Sequence, residues 1–114
     1  MPAVRKDIVI QAGSFDPLYW IITDPATSDP IDLTAGFTVT GTVSTREDGL
    51  GHDLLVLTDA DFHRTDDGRI YYRPSSTASA GWGFRYGHYQ FELEHPVGEV
   101  VRFAEGRFVV DPEI

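Results

Sequence analysis

Two stretches of this chain alternate between apolar and polar residues with a period of two. In residues 37–44, Phe37, Val39, Gly41 and Val43 fall on one side, and Thr38, Thr40, Thr42 and Ser44 on the other. In residues 86–95, Tyr89, Phe91 and Leu93 oppose His88, Gln90, Glu92 and Glu94. A helix would scatter these sets around its circumference, whereas a strand with one dry face keeps them apart. Residues 6–11, 53–58, 69–73 and 99–110 read as further strands, with Ile8 and Ile10 facing one way. Residues 17–23 are continuously apolar (Leu18, Tyr19, Trp20, Ile21, Ile22), the pattern of a strand buried on both faces.

Turn-forming clusters separate these runs at intervals of about ten residues. Residues 24–30 hold two prolines and two aspartates, residues 46–51 are charged and Gly-rich, and Pro96-Val97-Gly98 precedes the last strand. Asp67-Gly68 suits a tight hairpin. Residues 74–83 are small and could form one helical turn, with Ser75 or Ser76 as its cap. No segment of 10–15 residues shows helical periodicity. The expected fold is all-β: a single antiparallel β-sandwich, Ig-like or jelly-roll-like, or else a small barrel. It would have about seven to eight short strands, at most one helical turn, and a core that includes Phe37, Phe91, Phe103 and Phe108.

The 114 residues make one domain, 1–114, large enough to bury a core without metals or disulfides. There is no cysteine, so disulfides and thiolate chemistry are excluded. Eighteen acidic against nine basic residues give a net charge of −9. Nucleic acids and anionic membranes would be repelled by such a surface. The longest apolar run, Leu18 to Ile22, is too short to span a bilayer. Residues 1–6 carry charge with no apolar segment behind them, so no signal peptide is expected. Residues 2–6 and 112–114 read as short flexible arms.

Reactive constellations are sparse. Asp59, Asp61, Asp66 and Asp67 begin like a calcium loop. His63, Arg64 and Ile70 then occupy positions that a calcium loop gives to ligands and glycine, so turn chemistry explains the cluster better. His52, His63, His88 and His95 lack metal-ligand spacing. Glu92 and Glu94 share one face of one strand instead of facing each other across a cleft. Ser14, Ser28, Ser75, Ser76 and Ser79 sit in turn-like contexts without a nucleophile elbow. Neither an enzyme nor a metal or cofactor site is expected. Tyr71, Tyr72, Trp82, Phe84, Tyr86 and Tyr89 crowd into one stretch, and strand alternation sends about half of them inward. Trp82, between Gly81 and Gly83, leads a candidate interface of Trp82, Phe84 and Tyr86, suited to a subunit neighbour or a sugar ring.

The order of these cues resembles a family of tailed-phage virion domains. An apolar strand opens the chain (Ile8-Val9-Ile10-Gln11-Ala12-Gly13), followed by Pro30-Ile31-Asp32-Leu33-Thr34 and by Phe37-Thr38-Val39-Thr40-Gly41-Thr42-Val43. A Gly-led strand (residues 68–73) and a small-residue turn (75–80) come next. Tyr89-Gln90-Phe91-Glu92-Leu93 and an arginine-bearing strand ending in Val109-Val110-Asp111-Pro112-Glu113 close it. In this order the chain is similar to the β-sandwich N-terminal domain of siphophage upper-baseplate proteins. The resemblance implies a non-enzymatic virion subunit, assembled in the host cytoplasm and repeated around a symmetry axis. Its partners would be copies of itself and other proteins of the capsid surface, neck, tail or baseplate, with no nucleic acid or membrane. The other reading is a carbohydrate-binding sandwich that contacts host glycans through Trp82, Tyr86 and neighbouring aromatics.

Overall fold

The computed structural model describes residues 4–11, 18–24, 26–46, 51–72 and 86–111. These form β1 (Val4–Arg5), β2 (Ile8–Gln11), β3 (Leu18–Ile21), β4 (Thr38–Ser44), β5 (Asp53–Leu57), a 3-10 turn (Asp59–Asp61), β6 (Phe62–Arg64), β7 (Arg69–Tyr72), β8 (Tyr86–Glu94) and β9 (Val100–Asp111). The larger sheet runs β1-β9-β8-β4-β5, with β2 also on β9, and the smaller runs β3-β7-β6. The two pack face to face in an all-β, sandwich-like arrangement.

Between the sheets the alternation read from the sequence becomes a core. Val39, Gly41 and Val43 of β4 and Tyr89, Phe91 and Leu93 of β8 point inward. Phe91 is fully buried and meets Trp20, Phe62 and Tyr72 of the smaller sheet edge to face, with centroids 5.1–5.5 Å apart. Offset and edge-on geometries of this kind match the charge distribution of aromatic rings. Gly41 lies opposite Phe91 in the register. A Cβ at Gly41 would lie 2.6 Å from the Phe91 ring, so the missing side chain is what lets the ring lie flat on the sheet.

Along β9 the inward set changes parity. Phe91 pairs with Ala104 and Glu92 with Arg102, leaving Phe103 as the extra residue of a β-bulge. Phe103 and Ala104 are therefore both buried, and Phe108 and Val110 continue on even positions. The β8 and β9 strands form the expected hairpin. On the other side of β9, β1 and β2 run parallel to it, adding a parallel edge to an otherwise antiparallel sheet.

The Pro30–Thr34 motif has a local physical cause. Thr23 bridges to Pro30, and Ile31 N–H donates to the Ile22 carbonyl. Asp32 accepts the Thr34 hydroxyl (2.6 Å) and N–H (2.9 Å), bonds that hold its carboxyl below the usual range. Leu33 is fully buried, and its N–H donates to the Thr65 carbonyl.

Four expectations are corrected. Residues 18–21 are buried on one face only: Tyr19 and Ile21 are 47% and 50% exposed, because the smaller sheet packs one face on the larger and turns the other to solvent. Residues 62–64, outside the strands expected from the sequence, form strand β6. Val4 to Lys6, expected within a free arm, edge the larger sheet, and Lys6 N–H donates to the Glu105 carbonyl. Phe37 is only half-buried, packed against His95. The small-residue turn at 74–83 and residues 1–3 and 112–114 lie outside the described residues.

Candidate functional site

The smaller sheet buries Trp20, Phe62, Ile70 and Tyr72 and sends the alternate residues outward. Its register places Tyr19 beside Tyr71, and Tyr71 beside His63. Three rings thus form one row across β3, β7 and β6. Tyr19 and Tyr71 have centroids 5.5 Å apart, and Tyr71 and His63 6.1 Å apart, with tilts of 40° and 39°. Cross-strand aromatic pairs contribute roughly 0.2–1 kcal/mol each, so the row also braces a short sheet.

Arg69, two residues before Tyr71 on β7 and paired with Ile21 of β3, organises one end. Its guanidinium lies 5.3 Å over the Tyr19 ring, and its Nη1 donates to the Tyr71 hydroxyl at 3.2 Å. The Tyr71 bond, and then the Asp67 carboxylate 3.6 Å away, raise the Arg69 pKa further. A cation therefore already occupies the cation–π position on Tyr19. At the other end the row opens on a cleft of about 640 Å³ lined by Ala60, Asp61, Phe62, His63, Thr65 and Tyr71. Asp61 Oδ2 accepts the Thr58 N–H at 2.8 Å and caps the 3-10 turn.

Asp59, Asp61 and Asp67 of the expected turn cluster bind protein donors. Asp59 Oδ1 accepts the Val39 N–H of the larger sheet at 2.8 Å, and its Oδ2 meets Arg64 of the smaller sheet at 3.0 Å. Arg64 also donates to the Leu33 carbonyl at 2.6 Å. Among the described residues no group of three histidines or carboxylates could hold a metal ion.

Of the sequence-derived interface, Trp82 and Phe84 lie outside the described residues. Tyr86 opens β8, 48% exposed and edge-on to His88 at 5.3 Å. It sits on the outer face of the larger sheet, so it does not join the Tyr19–Tyr71–His63 row. Near it, Arg5, Asp7, His88, Glu105 and Arg107 surround a smaller polar cleft of about 170 Å³. Arg5 pairs with Glu105 at 3.5 Å, and Asp7 accepts the backbone N–H of Arg107 at 3.3 Å. Glu92 and Glu94 stand on β8 opposite Arg102 and Val100 of β9.

Sequence reasoning missed the aromatic row because an unbroken apolar run hides its own period, and because β6 is three residues long. The Asp67-Gly68 hairpin carried the missing signal: a strand after the turn requires a partner before it, at 62–64. No protein-family model matches the chain, and no curated protein matches it either. No helix among the described residues is long and apolar enough to cross a membrane.

Proposed function

We propose that this chain is a non-enzymatic structural subunit of a phage virion, an accessory of the capsid surface, neck or tail that contacts copies of itself and other virion proteins. The ordered resemblance to siphophage baseplate N-terminal domains leads to this reading. One observation supports it physically. Val4, Val9, Tyr19, Ile21 and Val56, all large and about half exposed or more, lie on the edge strands β1, β2, β3 and β5. Exposed apolar edges are a liability in an isolated monomer and an asset in a subunit that meets lateral neighbours. Repetition about an axis would multiply weak contacts of this kind.

Quantitative mass spectrometry of purified particles tests the reading, with the chain measured against the major capsid protein. A ratio near unity identifies a capsid decoration subunit, and a handful of copies a neck or tail component. Absence from particles removes the virion role. The row of outward-facing rings favours a second reading, a glycan-binding module, which can coexist with a place on a virion.

A further inference from the structure

We infer that the Tyr19–Tyr71–His63 row and the cleft at its β6 end form a binding site for a neutral saccharide. The inference rests on the glycan-binding reading and moves that activity from the neighbourhood of Trp82 to the outer face of the smaller sheet. Two independent features converge there. Rings on three successive strands, at 5.5 and 6.1 Å, offer an apolar surface on the scale of sugar rings set end to end. Beside them, the cleft of about 640 Å³ falls in the size range of small-ligand sites.

The polar groups around it suit hydroxyls. Asp61 spends Oδ2 on Thr58, and its Oδ1 and the His63 ring nitrogens carry no protein hydrogen bond among the described residues. A carboxylate accepts and an imidazole can donate or accept, which is what a polyol's paired donors and acceptors need. Charge narrows the ligand class. Asp61 lines the cleft on a chain of net charge −9, which disfavours sialylated or phosphorylated glycans. Arg69 over Tyr19 opposes a quaternary ammonium at that ring. An uncharged ring with an apolar C–H face and equatorial hydroxyls meets neither repulsion.

The test titrates the full chain with maltohexaose, cellohexaose and the N-acetylglucosamine hexamer, followed by amide and imidazole NMR. Sialyllactose and choline serve as charged probes. One neutral oligosaccharide is expected to shift resonances of His63, Thr65 and Tyr71. His63→Ala, at an exposed position, should then weaken binding about tenfold with only a small fall in melting temperature, while Trp82→Ala changes binding less than about twofold. Shifts clustered elsewhere, or loss of binding in Trp82→Ala alone, would overturn the placement and leave the glycan reading standing. Binding of only a charged probe would overturn the neutral-ligand assignment. If none of the oligosaccharides binds, the site and the glycan reading fail together.

Discussion

Phe91 touches rings of both sheets, and its neighbours leave it one place to lie. A methyl at Gly41 would sit 2.6 Å from its Cδ1. Gly41→Ala is therefore expected to lower stability by about 1–3 kcal/mol, the range for overpacking a filled core. Phe91→Ala should lose about 3–5 kcal/mol, and half-buried Phe37→Ala clearly less. Chemical denaturation measures all three, and a neutral Gly41→Ala would show that the ring can move aside. Two buried phenols set the alkaline limit. Burial, then the Asp61 charge, raises the Tyr72 pKa; burial, then Asp7 and Glu105, raises that of Tyr89. In the unfolded chain both titrate near 10. Above that pH the native state holds more protons than the unfolded state, so their contribution is complete below about pH 10 and declines as pH rises beyond it. Urea melts across this window should show the decline, with two tyrosines resisting ionisation in the folded protein. Ordinary tyrosinate titration of every tyrosine would contradict the burial of these hydroxyls.

The 3-10 turn works as a clasp between sheets, since Asp59 holds Val39 on one side and Arg64 on the other. Asp59→Ala orphans the Val39 N–H and should cost about 1–3 kcal/mol. Asp59→Asn keeps an acceptor for Val39 and should lose less; the Arg64 pair, partly solvated, adds little. Equal losses in the two variants would mean that the ion pair dominates. Because Asp59 and Asp61 answer protein donors, added calcium should leave the melting temperature unchanged. At this scale legibility followed alternation. Strands β4 and β8, with a wet and a dry face, were readable residue by residue, as was the β8–β9 hairpin. The bulge at Phe103 was not, because a parity change in β9 depends on what β8 presents opposite it. Nor was the exposed face of β3, where aromatic and aliphatic residues occupy both sides and only the packing of the smaller sheet on the larger decides which side is wet. The candidate site lies where those two blind spots meet a three-residue strand.

Strand β9 gathers the chain's two ends. Val4 pairs with Ala104, and Ile8 to Gln11 pair with Phe108 to Asp111 at the same offset, so one register spans both segments. Between them Gly106 approaches Lys6 so closely that a Cβ would collide with the Lys6 carbonyl oxygen, and the Tyr89 hydroxyl donates to that same oxygen. The β8–β9 hairpin closes locally, but the parallel edge must bring together segments from opposite ends of the sequence. Loop-closure entropy opposes that pairing until the strands it docks on exist. The N-terminal strand is thus expected to join late, after β4, β8 and β9 have formed a sheet, and the whole chain to fold in milliseconds to seconds as β-rich topologies do. Ile8, fully buried, reports on this step. Ile8→Ala should remove about 2–4 kcal/mol of stability and place nearly all of it in faster unfolding, leaving the folding rate close to that of the parent. Val43→Ala, in the β4 pairing with β8, should instead slow folding. Stopped-flow folding and unfolding arms of the two variants decide the order. A folding arm slowed as much by Ile8→Ala as by Val43→Ala would put the parallel edge in the nucleus, and the sheet would then assemble from its ends inward.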